Sequence, residues 1–111
     1  MQKLPNPDKT VIDTDKLTGY CLSTEHQDGK HKAKVFKSVL NIEGKDVEVL
    51  RTALLKAVRN NMAIQTKHNA YGQKYIIDFE MSYSGKTAKV RSAWIVRNNE
   101  DFPRLITCYV L

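Results

Sequence analysis

Residues 26–34 read His26-Gln27-Asp28-Gly29-Lys30-His31-Lys32-Ala33-Lys34. Two histidines and three lysines thus gather where a Gly-ended loop feeds a helix. An imidazole moves protons near neutral pH. Lysines at a helix N-terminus hold a phosphate. Together they supply what metal-free RNA cleavage needs: a base for the 2′-hydroxyl, cations for the crowded phosphate, and an acid for the leaving oxygen. The competing reading is a solvated basic loop.

Lys89-Val90-Arg91-Ser92-Ala93-Trp94 forms a second group. Lys89 and Arg91 share one strand face, and the Arg91 fork matches phosphate oxygens. Ser92 and Trp94 share the other face, where Trp94 packs in a core or lines a cleft. Alternation puts Arg91 opposite Ser92 and Trp94 unless a bulge intervenes. Thr107 and Tyr109 on the last strand are a third pair of hydroxyls, with sheet packing as the plain alternative. His68, Tyr71 and Tyr75 are further candidates for contact with bases.

The chain carries no Gly-rich phosphate loop, nucleophile elbow, HExxH or converging carboxylates. This speaks against glycosidase and two-metal nuclease chemistry. Cys21 and Cys108 form no CxxC pair, so each reads as a small packed residue. No metal or cofactor is expected. Lys and Arg number 18 against 12 Asp and Glu, and the net charge of +6 favours polyanionic partners such as RNA. No apolar run approaches the ~20 residues of a membrane span. Residues 1–10 do not resemble a signal peptide, so a cytoplasmic site is expected.

The elements that must position these groups follow from periodicity. Residues 1–12 hold two prolines and read as an irregular arm of a single domain, 1–111. Asp13 or Asp15 caps a short helix bearing Leu17, Tyr20 and Cys21. Ala33, Phe36 and Leu40 predict a helix over 30–40, and Val47, Leu50, Leu54, Ala57 and Val58 one over 45–60. After a linker around Tyr71-Gly72 the period changes to 2. Strands are predicted over 74–80, 87–97 and 104–111. The fold class is α+β, with N-terminal helices packed on one face of a three-strand antiparallel meander.

Lys16-Leu17-Thr18-Gly19-Tyr20, His26, Gly29, Lys32-Ala33, Phe36, Arg91-Ser92-Ala93-Trp94-Ile95-Val96 and Thr107-Cys108-Tyr109 together resemble an uncharacterised bacterial domain family. That family occurs in toxin loci, at the ends of polymorphic toxins or beside a small partner gene. The layout also resembles the barnase, colicin D and RelE group of ribonucleases. Lys30-His31-Lys32 with Ser92-Ala93-Trp94 matches the colicin D pattern in type and order, and Thr107-Cys108-Tyr109 matches the Thr-x-Tyr that ends many contact-dependent toxin ribonucleases.

These resemblances imply a metal-independent endoribonuclease toxin, acting on RNA such as transfer RNA. Its products would be a 2′,3′-cyclic phosphate and a 5′-hydroxyl. His26 or His31 would be the general acid/base. The uncharacterised family points to His26 and colicin D to His31, and a loop position favours His26. Lys32 and Arg91 would stabilise the phosphate with Lys30 assisting. Thr107, Tyr109, Ser92 and Trp94 would line the cleft, and Lys34 and Lys89 would add substrate contacts. A small acidic antitoxin or immunity protein would cover the site. The rivals are a non-catalytic nucleic-acid-binding module and an interaction protein of a phage or mobile element.

Overall fold

Leu17, Phe36, Leu40, Leu50, Leu54, Ile77, Val90 and Trp94 meet in one buried cluster, and the elements are those that bring them there. The computed structural model describes all 111 residues. Helix α1 (Thr14–Lys16) runs directly into a π-helical segment, Leu17–Cys21. The Asp13 carboxylate caps it by accepting from Asp15 N–H. Helix α2 (Lys30–Leu40) buries Ala33, Phe36 and Leu40, the stripe its spacing predicts. It stops at Asn41, which takes the left-handed conformation with φ 56°. Helix α3 (Val47–Asn60) buries Leu50, Leu54, Ala57 and Val58. The predicted start of α3 is instead a 3-10 turn, Gly44–Asp46, held by a reciprocal Glu43–Asp46 capping box.

Four strands follow: β1 (Ile64–His68), β2 (Gly72–Tyr83), β3 (Lys86–Arg97) and β4 (Pro103–Val110). They form one antiparallel sheet in the order β1-β2-β3-β4. The fold is α+β as expected, but the sheet has four strands rather than three. All five residues of β1 are exposed, so it shows none of the apolar alternation that marks a strand in sequence. Ser84 (φ 53°) and Gly85 (φ 75°) make the two-residue β2–β3 hairpin turn, where both central residues need positive φ.

The strands divide their side chains by pleat. Tyr75, Ile77, Phe79 and Met81 of β2, Val90, Ser92 and Trp94 of β3, and Leu105 and Cys108 of β4 are buried. Asp78 pairs with Arg91, Arg91 with Tyr109, and Ala93 with Thr107, so these five occupy the opposite, outer face. A bulge between Ala93 and Trp94 makes Ile106 the extra residue. It lets Leu105 and Cys108 both turn inward although they stand three positions apart. The even alternation expected along β4 therefore breaks at Ile106.

Ser92 and Trp94 do not line a cleft. Both are fully buried, and the Trp94 Nε1–H donates to Ser92 Oγ, whose hydroxyl donates to Ile77 O, each at 2.8 Å. The serine satisfies the one polar atom of a buried indole. Tyr75, weighed for base contact, is likewise buried.

The arm at residues 1–12 has irregular conformation yet is docked. Leu4 is buried, Gln2 bridges Ala63, and Val11 bridges Arg104 beside the edge of β4. No helix is long and apolar enough to cross a membrane.

This packing sets two stability expectations. Trp94→Ala should cost about 3–5 kcal/mol by cavity formation. Ser92→Ala, which strands the indole N–H, should cost about 1–3 kcal/mol. Urea unfolding followed by circular dichroism measures both; two near-neutral values would contradict the buried assignment.

Candidate functional site

Lys32 sits in the first turn of α2, half-buried beside the buried Ala33. Its ammonium donates to Tyr20 Oη at 2.9 Å and to Thr107 Oγ1 at 3.1 Å. It also lies 4.4 Å from the Tyr20 ring centroid and 5.3 Å from that of Tyr109, within cation–π range. One cation therefore ties the π-helical segment, α2 and the edge strand β4 together.

The π turns present Tyr20. Leu22 N–H reaches back to Leu17 O at 2.7 Å, a five-residue step that widens the turn. Leu17 and Cys21 go into the core, and Tyr20 stays half-buried against its edge. The loop bearing His26 folds over this turn because Gly29 permits it. A Cβ on Gly29 would stand 2.2 Å from Tyr20 O, which no side chain tolerates. The His26 ring then packs edge-on against Tyr20, with centroids 4.7 Å apart and planes at 82°. His26 Nδ1 accepts the backbone N–H groups of Asp28 and Gly29, both at 3.0 Å. In the neutral ring the proton is thus on Nε2, which is then a donor. Tyr20, His26 and Thr107 line one depression with Asp15 and Lys16.

Arg91 continues the outer face. Its Nε and Nη2 donate to Asp78 Oδ1 and Oδ2 at 2.8 and 2.9 Å, a bidentate fork. The Arg91 guanidinium holds the Asp78 carboxyl below its ordinary range. Asp78 in turn raises the Arg91 pKa, with Tyr109 across the strand pair adding to the effect. Lys89 lies on the same face and is exposed.

Beneath Thr107 is a pair of buried thiols. Cys21 Sγ accepts Cys108 N–H at 3.4 Å and lies 3.6 Å from Thr107 Oγ1. The Cys21 pKa is lowered to about 6. The Cys108 thiol is the largest cause and works against the opposing effect of burial, with Cys108 N–H, Thr107 and Lys32 adding to it. Cys108 moves the other way, well above the ordinary thiol value, because it faces the Cys21 sulfur in a buried position.

Of the residues singled out in the sequence, His26, Lys32, Thr107, Tyr109 and Arg91 share this region. His31 does not join it: His31, Lys30 and Lys34 line a separate depression with Thr24 and Lys37. His68 and Tyr71 belong to the far side of the sheet, in and just after β1. Two participants were not singled out for chemistry. Tyr20 reads in sequence as one more face of an apolar turn, and Asp78 meets Arg91 only through the β2–β3 register.

The family model described as "Domain of unknown function (DUF6883)" matches residues 3–111. The chain belongs to this family. No curated protein matches this DUF6883 chain. It is similar in structure to a chain of a solved complex described as "Contact-dependent growth inhibition toxin - immunity protein complex from Klebsiella pneumoniae 342". The TM-score is 0.66 at 20% identity, covering 91% of this chain and 99% of that one. At that identity the likeness is one of fold.

The thiol pair makes the DUF6883 domain sensitive to pH. Cys21 titrates near 6 in the folded state against an ordinary 9.0, so the folded form binds fewer protons between those values. Its contribution to stability is lost as pH falls through about 6 and grows toward pH 9.0, above which the raised Cys108 pKa opposes it. Absorbance at the thiolate band should rise with a midpoint of about 6 in the parent and lose that step in Cys21→Ser. A midpoint at the ordinary thiol value would contradict the assigned hydrogen bonds.

Proposed function

We propose that this domain is an endoribonuclease toxin that cleaves RNA without a metal cofactor, and that its site is the Lys32 cluster rather than the whole basic loop. The observation that carries the reading is the half-buried Lys32 ammonium, fixed between Tyr20 and Thr107. A fixed cation on a face that also holds Arg91 and borders His26 suits a phosphate whose charge grows in the transition state. The fold shared with a chain of a toxin–immunity protein complex supports the toxin part of the proposal. The net charge of +6 supports RNA as substrate.

The roles follow from which atoms are free. Tyr20 Oη accepts from Lys32, so its own O–H is free to donate to the leaving 5′-oxygen. Lys32 and the Arg91 edge not held by Asp78 neutralise the phosphoryl oxygens. His26 faces a constraint. While Asp28 and Gly29 hold Nδ1, its Nε2–H is a donor to phosphate. To take the 2′-hydroxyl proton at Nε2, the ring must carry its own proton on Nδ1, and the 23–29 turn must release that atom. His31 is set apart from the cluster and is not assigned a role. Lys30, Lys34 and Lys89 steer the polyanion from outside. An acidic immunity protein covering Lys32 and Arg91 is the partner this charge calls for.

Purified protein is incubated with bulk transfer RNA and messenger RNA in EDTA beside His26→Ala, His31→Ala and Lys32→Ala. The parent should cleave, leaving 2′,3′-cyclic phosphate and 5′-hydroxyl ends. His26→Ala and Lys32→Ala should each lose about 10²–10⁴-fold in rate, while His31→Ala stays near the parent. His26→Gln separates donor from base: retained activity would show that only the hydrogen bond is needed. No cleavage by the folded parent would overturn the enzyme reading.

A further inference from the structure

Cys21 and Cys108 have no role in the proposed cleavage, yet the fold brings them together from 87 residues apart. Cys108 is turned into the core by the β4 bulge, and Cys21 ends the π-helical segment. Both are fully buried and free. Cys21 Sγ lies 3.4 Å from Cys108 N. That places it within about 5 Å of Cys108 Cα, so the two thiols are close neighbours. Two apolar residues of similar size would fill this space. Instead the Cys21 sulfur is the acceptor for an outward N–H of the edge strand and neighbours the hydroxyl that holds Lys32.

We propose that Cys21 and Cys108 are a modification site, an oxidisable dithiol that closes to a disulfide with a hydroperoxide or a small-molecule disulfide as oxidant. With a hydroperoxide, the Cys21 thiolate attacks the terminal oxygen and the O–O bond breaks. Cys21 becomes a sulfenic acid, and the remaining alkoxide or hydroxide takes up a proton and leaves as alcohol or water. Cys108 then attacks the Cys21 sulfur. The S–S bond forms, the S–O bond breaks, and the departing hydroxide takes the Cys108 proton to leave as water. Two thiols lose two electrons and the peroxide gains them. With a small-molecule disulfide, Cys21 forms a mixed disulfide and Cys108 expels the second thiol.

Closure has two consequences. It staples the segment that carries Tyr20 to β4, shrinking the unfolded ensemble across a long loop. It also removes a negative charge from beside Lys32, leaving the ammonium more fully available to an anion. The second consequence rests on the reading of Lys32 as an RNA contact; the disulfide does not.

The test treats the intact folded protein with hydrogen peroxide or oxidised glutathione at neutral pH, at several temperatures below unfolding so that access does not limit the reaction. Expected is the loss of two hydrogens in the intact mass, a Cys21–Cys108 cross-linked peptide, a raised Tm, and reversal by dithiothreitol. Cys21→Ser and Cys108→Ser should each abolish the cross-link. Only intermolecular disulfides or irreversible sulfinic acids would overturn the proposal. The mass readout is independent of nuclease activity, so its failure and that of the ribonuclease reading are separable. In a second arm, the oxidised form should bind a 2′-deoxy oligonucleotide severalfold more tightly than the reduced form. Cross-linking with unchanged binding would overturn the coupling to Lys32.

Discussion

A lysine ammonium that leaves water must be met by oxygens or ring faces, and Lys32 imposes that requirement on three elements at once. Its place in the first turn of α2 is fixed by the burial of Ala33, Phe36 and Leu40. From there the ammonium needs Tyr20, which only the π-helical step delivers, and Thr107, which only the bulged phase of β4 turns outward. The bulge and the π turn are each departures from regular geometry. Both end at the same cation, and departures of this kind gather at functional sites. Gly29 extends the arrangement by letting the His26 turn close against Tyr20.

Much of the frame was legible from periodicity. The α2 stripe, the α3 stripe and the strands around Ile77, Val90 and Ile106 follow from apolar spacing and appear where that spacing puts them. Three features were not legible, each for a physical reason. Strand β1 buries nothing, so no apolar pattern announces it. The π step is a single backbone bond from Leu22 N–H to Leu17 O, and no residue type between them announces it. The β4 bulge shifts alternation by one residue, and only pairing with β3 reveals where.

The site residues divide along the same line. Lys32 and Arg91 were picked for charge, and Thr107 with Tyr109 for their hydroxyls; the structure brings all four into one neighbourhood. Ser92 and Trp94 also looked chemical, but their polar atoms satisfy each other inside the core. His26 and His31 are indistinguishable by type. Only the fold separates them, through the ring of Tyr20 on one side and the exposed surface of α2 on the other. Asp78 shows the limit of reading charge alone. It holds two of the Arg91 donors, so Arg91 keeps only part of its fork for a phosphate, whereas the Lys32 ammonium is held by neutral oxygens and keeps its charge for one.

The central claim is that RNA meets the protein at Lys32 and its partners rather than at the more exposed lysines of α2. The direct measurement is a titration of isotopically labelled protein with a non-cleavable 2′-deoxy oligonucleotide, followed by amide and side-chain chemical shifts. The account predicts the largest changes at Tyr20, His26, Lys32, Arg91, Thr107 and Tyr109, and small ones at Lys30, His31 and Lys34. Changes confined to Lys30, His31, Lys34 and Lys37, with Lys32 and Tyr20 unmoved, would contradict it.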